Sequence, residues 1–157
     1  YIRKGLLSLY PDMRALCHWH EDIELIYILK GEMNYDINGK TVLLKENDSI
    51  LINARQMHYG YSNQGKDCRF ICILFHRDVL NCKPRRYQEY VLPVTENSSI
   101  EYLYYENNNT IFPDFIKQIS SSHPHQDFCP YDICRRIQCF LIFIFISNNK
   151  ISAEGQN

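Results

Sequence analysis

The sequence lacks an excess of charge of either sign. Its 17 Lys and Arg residues nearly balance its 18 Asp and Glu residues, and the formal net charge is -1. This segment therefore carries no basic footprint for nucleic acid. It also contains no P-loop, no G-x-G-x-x-G and no Ser-His-Asp grouping. Nucleotide-binding, dinucleotide-binding and hydrolase functions consequently have no support in the sequence.

Long apolar runs and paired cysteines are missing as well. The longest apolar run, residues 139–146, is far shorter than the roughly 20 residues that a membrane-spanning helix needs. The short apolar run after Arg3 and Lys4 does not make a signal peptide. The seven cysteines are odd in number and include no C-x-x-C pair. This usage favours a reduced, cytoplasmic location over a disulfide scaffold.

The length of 157 residues predicts one domain, or one domain with a small appendage. The first residue is not Met, and the polar residues 152–157 resemble a linker. We therefore expect both ends to have been cut from a longer chain.

Short strand-like segments separated by turns fill the first half of the chain. Asn38-Gly39 is the strongest hairpin signal and predicts a type I′ turn. Residues 1–13 are expected to be irregular. Period-2 alternation and β-branched or aromatic residues predict strands over the segments 14–20, 23–29, 33–37, 41–44, 49–52, 57–61 and 69–75. The pattern predicts a mainly β, antiparallel sandwich or barrel.

The second half of the chain has a different composition. A basic connector contains Pro84, and residues 96–109 are polar and tyrosine-rich. Helical spacing predicts helices over residues 112–121 and 130–147. The second helix is apolar on almost every side. This predicts either that the segment is buried within its own domain, as a helix or even as a strand, or that it forms a subunit interface. The interface candidates are Ile137, Phe140, Leu141, Phe143, Ile144 and Phe145.

Four residues stand out as a candidate site. His18 and His20 are two apart, so they share one face of an extended strand. Glu24 follows four residues later, and His58 ends another strand-like segment. Imidazole and carboxylate groups in this pattern are either metal ligands or the polar floor of a small-molecule pocket.

The spacing H-x-H-x-x-x-E, followed by six residues and Gly31, resembles the first motif of the cupin superfamily. The second cupin motif is matched by residues 47–58. There Asn47, Asn53 and Arg55 replace the usual Gly, Pro and Gly, and the final histidine is retained as His58. Residues 20–32, 48–58 and 72–80 resemble, more narrowly, the N-terminal sensor domain of AraC-type transcriptional regulators.

The resemblance implies a cupin-like double-stranded β-helix, or jelly-roll, barrel over residues 1–82. A connector and two or so dimerisation helices would follow over residues 83–157. A DNA-binding domain with two helix-turn-helix motifs is expected after residue 157. The chain would be a non-enzymatic sensor of a small polar effector, often a sugar, in a dimeric bacterial-type regulator.

The same resemblance leaves the chemistry of the site open. Cupin enzymes bind Fe, Mn, Ni or Zn at positions that match His18, His20, Glu24 and His58. A metal-free pocket, in which these groups and Arg14 and Tyr35 bind a polar ligand, and a purely structural cluster are the alternatives. A metal-dependent cupin enzyme, such as a dioxygenase or a sugar isomerase, is the rival function.

Overall fold

The computed structural model describes residues 1–81 and 84–107. The chain divides into two compact units. Among the described residues, one unit consists of Tyr1–His76 together with residues 99–107, and the other consists of Arg77–Ser98. Within the described residues, eight strands belong to the first unit and form two antiparallel sheets. The expected mainly β class is confirmed.

The larger sheet has five strands in the order β1-β7-β2-β5-β8. Its strands are β1 (Ile2–Leu6), β2 (Ile23–Lys30), β5 (Ser49–Ile52), β7 (Arg69–Phe75) and β8 (Tyr102–Tyr105). The central strand β2 is buried along most of its length, which agrees with its apolar run at residues 25–29. All the neighbouring strands pair antiparallel.

The smaller sheet has three strands in the order β4-β3-β6. Its strands are β3 (Glu32–Ile37), β4 (Lys40–Lys45) and β6 (His58–Tyr61). Asn38 and Gly39 both have positive φ, 51° and 82°, as the predicted type I′ turn requires. The alternating burial along β3 directs Met33, Tyr35 and Ile37 toward the larger sheet.

The hydrophobic core lies between the two sheets. Residues directly opposite one another on paired strands share a face, so Glu24, Ile26 and Ile28 on β2 lie on the same face as Leu74, Cys72 and Phe70 on β7. Several of these residues pack into the core with Met33, Tyr35, Ile37 and Leu44 of the smaller sheet. The face of the larger sheet that carries Glu24 is called the inner face below.

Two strands lie where the sequence predicts none. Strand β1 lies in the segment 1–13, and strand β8 lies in the tyrosine-rich segment 96–109. The larger sheet therefore includes residues beyond the expected barrel boundary at residue 82. The predicted strand at 14–20 is replaced by an extended segment with only two isolated bridges, Arg14 to Tyr61 and His18 to His58.

The segment Arg77–Ser98 is helical in short stretches. It contains a short 3-10 helix (Arg77–Leu80) and the consecutive helical turns Pro84–Arg86, Tyr87–Val91 and Leu92–Thr95. The helices expected at 112–121 and 130–147 lie outside the described residues, as do the six candidates for the subunit interface. No helix in the described part of the chain is long and apolar enough to cross a membrane.

Candidate functional site

Three separate segments bring the four predicted site residues together. The chain before β2 pairs with the edge strand β6, so His18 lies opposite His58 and exchanges two backbone hydrogen bonds with it. Glu24 is the second residue of the buried part of β2. One ligand atom from each of His18, His20, Glu24 and His58 lies within 4.8 Å of those from the other three. These four residues are called the imidazole-carboxylate cluster below.

Each imidazole of the cluster is oriented by a backbone carbonyl. His18 Nδ1 lies 2.8 Å from the carbonyl oxygen of Leu16, and His58 Nδ1 lies 2.7 Å from that of Gln56. His20 Nδ1 lies 2.8 Å from the carbonyl oxygen of Asp22. A carbonyl can only accept, so Nδ1 carries the donated proton in all three rings. The lone pair of each neutral ring is therefore on Nε2.

Glu24 is buried, with 5% of its surface exposed. The hydroxyl of Tyr35 donates to its Oε1, and the thiol of Cys72 lies 3.7 Å from its Oε2. Burial alone would raise the pKa of this carboxyl. The neighbouring imidazoles of His20 and His58 and the Tyr35 hydroxyl outweigh burial and hold the pKa of this carboxyl well below its usual range. The cluster therefore contains a permanent buried negative charge.

The same carboxylate acts on His20. The interaction of the His20 ring with Glu24 raises the pKa of His20 above its usual value, although partial burial of the ring opposes the rise. His20 Nε2 lies 3.5 Å from Glu24 Oε2, and His58 Nε2 lies 3.7 Å from Glu24 Oε1. In the neutral tautomers these atom pairs bring a nitrogen lone pair toward a carboxylate oxygen. A proton or a cation between them would remove the repulsion.

The cluster fits a divalent metal ion. Among the described residues, Nε2 of His20 and Nε2 of His58 are buried side-chain atoms without a hydrogen-bond partner. Orphaned imidazole nitrogens beside a carboxylate, each ring held through its other nitrogen, form the donor set of Fe, Mn, Ni and Zn sites. His18 is exposed and could complete the set.

A cavity of about 1010 Å³ opens onto the cluster at Glu24 and His18. One wall is the inner face of the larger sheet, with Ile26, Phe70 and Leu74. The opposite wall includes Met33 and Tyr35 from the smaller sheet. The exposed surface of the walls is largely apolar, and charged residues and tyrosines are placed among the apolar ones. Apolar walls with polar groups between them are the usual construction of a small-molecule site.

Tyr35 and Arg14, the two further candidates, occupy different positions. Tyr35 is buried and reaches the cluster through Glu24 and through a stacked contact with His58, 6.0 Å between ring centroids. The Arg14 guanidinium lies 4.5 Å from the ring centroid of Tyr61, on the face of β6 that carries Tyr59 and Tyr61. His58 and Gly60 occupy the other face. The structure therefore brings Tyr35 to the cluster, whereas Arg14 borders the cavity with its guanidinium over the rings of Tyr59 and Tyr61.

Two residues of the site were not predicted from the sequence. Cys72 lies in an apolar run, and only its register opposite Ile26 brings its thiol to Glu24. Arg3 lies on β1 directly opposite Cys72 and borders the cavity. No local pattern marks either residue, because their positions depend on long-range strand pairing.

Residues 5–74 match the family model described as Cupin domain. This match covers the strands that carry the cluster and both walls of the cavity. This part of the chain is therefore similar to a cupin domain. The cluster lies between its two sheets, and three of its members carry the H-x-H-x-x-x-E spacing that resembles the first cupin motif.

Parts of this chain are also similar to individual proteins of different kinds. An uncharacterised HTH-type transcriptional regulator of Bacillus subtilis, YdeC, is 31% identical over 97 residues. The alignment covers 58% of this chain and 31% of YdeC. The chain therefore spans about a third of the length of that curated relative.

Solved structures that resemble the chain include enzymes. A predicted oxalate decarboxylase from Thermotoga maritima is 25% identical, with a TM-score of 0.43 over 48% of this chain and 64% of that one. The polyketide cyclase RemF from Streptomyces resistomycificus is 24% identical, with a TM-score of 0.42 over 46% of this chain and 51% of that one. Each likeness extends over less than half of this chain.

Proposed function

We propose that this chain is the effector-sensing and dimerisation part of an AraC-type transcriptional regulator. The observation that carries the proposal is the cavity of about 1010 Å³ that ends on the imidazole-carboxylate cluster. The similarity to a cupin domain and the similarity to a helix-turn-helix regulator support it. A small effector would enter the cavity and contact the exposed His18 and the buried Glu24.

In this proposal the effector acts by binding two conformational states with different affinities. The difference would change how DNA-binding domains after residue 157 are placed. A homodimer would form through the apolar residues of segment 130–147. DNA would be contacted only by the additional domain, in keeping with the net charge of -1 in this segment.

The proposal includes a divalent metal ion, of Fe, Mn, Ni or Zn type, held by His18, His20, Glu24 and His58. The two orphaned buried Nε2 atoms and the low pKa of Glu24 support it. When bound, such an ion would neutralise the carboxylate and offer open coordination positions to an oxygen or nitrogen atom of the effector. The protein would supply the orientation of the three rings through Leu16, Asp22 and Gln56.

A metal-dependent cupin enzyme is the second candidate function. It is favoured by the convergence of three imidazole groups and one carboxylate within 4.8 Å at the inner end of the cavity. This donor set resembles that of metal sites that keep coordination positions open for substrate. The two candidates differ in whether the bound molecule is changed.

One experiment separates them. The chain would be loaded with Zn²⁺, Ni²⁺, Mn²⁺ or Fe²⁺ in turn and screened by thermal shift against sugars, organic acids and alcohols, since a ligand stabilises the folded state by mass action. Each ligand found would then be incubated with the loaded protein and analysed by mass spectrometry. A ligand that stabilises wild type and His76→Ala but not His58→Ala, and is recovered unchanged, supports a sensor. Conversion of the ligand supports the enzyme, and the lack of any stabilising ligand contradicts both.

A further inference from the structure

The position of Arg3 carries an inference about the chemical class of the ligand. Arg3 lies directly opposite Cys72 in the antiparallel pair of β1 and β7. Directly opposed residues share a face of the sheet, and the Cys72 thiol contacts Glu24 on the inner face. Arg3 therefore emerges on the inner face, where it borders the cavity. Because it is exposed, it lies at the rim.

The electrostatics agree with this placement. Arg3 forms no salt bridge with a carboxylate anywhere in residues 1–81 and 84–107. The other charged residues that border the cavity are the exposed Asp12 and Arg14 and the buried Glu24. Glu24 already accepts from Tyr35 and lies close to the imidazoles.

The larger part of the cavity surface beyond Arg3 is apolar, although Asp12, Arg14 and several tyrosines also line it. Ile26, Phe70, Leu74 and Met33 offer apolar surface along the cavity. A sugar carries hydroxyl groups around its ring, and each one left without a partner against such a wall costs free energy. An apolar body gains free energy on the same surface, because apolar area is removed from water. The cavity therefore favours a molecule with one anionic end and an apolar body.

We propose that the cavity binds an organic carboxylate with an aromatic or aliphatic body, whose carboxylate pairs with Arg3 at the rim while the body lies along Ile26, Phe70 and Leu74. This proposal rests on the function proposed above, in which the cavity is the effector site. It narrows the expected small polar effector to an amphipathic acid. Guanidinium groups suit it because they bind a carboxylate through two parallel hydrogen bonds.

The test compares matched ligands and matched variants by isothermal titration calorimetry. The ligands are 4-phenylbutanoate and octanoate, their alcohols 4-phenylbutanol and octanol, and the sugars arabinose and glucose. The variants are Arg3→Gln and Arg69→Gln. Arg69 is an exposed arginine of the same sheet, placed opposite Leu6 and therefore on the other face. Each titration is run with Zn²⁺ and with EDTA.

The proposal predicts that the acids bind wild type and Arg69→Gln more tightly than the alcohols do. Arg3→Gln should weaken acid binding by about fivefold, the upper end for a partly exposed ion pair, and leave alcohol binding unchanged. Equal binding of acids and alcohols would overturn it. Acid binding that is lost in EDTA but unchanged in Arg3→Gln would also overturn the proposal, because the carboxylate would then be bound by the metal.

The outcomes also separate this inference from the proposed function. Binding of a sugar without binding of either acid would overturn the inference and leave effector sensing standing. Binding of no ligand in any class would overturn both. The far-ultraviolet circular dichroism and the thermal midpoint of Arg3→Gln would be compared with those of Arg69→Gln, so that loss of folding is not mistaken for loss of a contact.

Discussion

The contact between Tyr35 and Glu24 leads to a quantitative prediction for Tyr35→Phe. The substitution removes a donor from a buried carboxylate and leaves the ring in place. A hydrogen bond to a charged group is worth about 1.5–3 kcal/mol, and loss of an outer-shell partner typically lowers metal affinity 10–100-fold. We expect Zn²⁺ or Ni²⁺ affinity to fall by a factor in that range, as measured by competition with a chromogenic chelator.

The matched control for this prediction is Tyr27→Phe. Tyr27 is also buried and lies on β2 itself, but its hydroxyl donates to Asn47, 2.9 Å away and outside the cluster. This variant should lose stability in urea and keep its metal affinity. Equal loss of affinity in the two variants would mean that both act through general destabilisation. An unchanged affinity in Tyr35→Phe would refute the argument that this phenol orients the carboxylate.

Three further predictions concern the same region. His58→Ala should lower Zn²⁺ affinity by at least 100-fold in calorimetry, whereas His76→Ala, outside the cluster, should not. Gly60→Ala should cost about 1–3 kcal/mol in urea unfolding, because a Cβ there would lie 3.2 Å from a ring carbon of Tyr35; an unchanged midpoint would contradict the packing. Without metal, stability should be highest below the usual histidine pKa and fall as pH rises through the raised pKa of His20, because the folded state binds that proton more tightly. With Zn²⁺ the trend should reverse, since the ligands must be deprotonated; parallel pH trends with and without metal would count against a metal at the cluster.

The sequence predicts the strands that have strong local patterns. Segments 49–52 and 69–75 are confirmed to the residue, and the Asn38-Gly39 turn is confirmed by its backbone angles. Strand β1 was missed because it is an exposed edge with a glycine in it. Gly5 is needed there because the ring of Phe70 occupies the space of a Cβ, 2.5 Å away. A neighbour 65 positions along the chain leaves no local signal.

Strand β8 was missed for a related reason. Tyr102–Tyr105 are all of intermediate burial, so the segment shows none of the alternation that marks a strand with one buried face. Its pairing with β5 is supported by side-chain contacts with residues far away in the sequence. One example is Asp48, whose carboxylate accepts from the Tyr104 hydroxyl and from the backbone N–H of Asn107. These contacts exist only after the larger sheet has formed.

The candidate site was predictable in its members and not in its surroundings. The i, i+2 and i+6 spacing of His18, His20 and Glu24 identified residues that the structure brings together with His58. The position of Arg14 could not be deduced in the same way. Arg14 and His18 are four residues apart, whereas their bridge partners Tyr61 and His58 are only three residues apart. Because of this extra residue, Arg14 pairs on the face of β6 that carries Tyr61 and not on the face that carries His58.

The three carbonyl oxygens that orient the imidazoles belong to the backbone, and each is only two residues from the histidine it holds. Every amino acid supplies such a carbonyl, so the identities of Leu16, Asp22 and Gln56 are not constrained by this task. Leu16 also lines the cavity, so a substitution there would alter the cavity wall and its ligand preference while the ring orientation is preserved. A site built in this way could diversify its ligands by single mutations, and position 16 suits a library for redesigning its specificity.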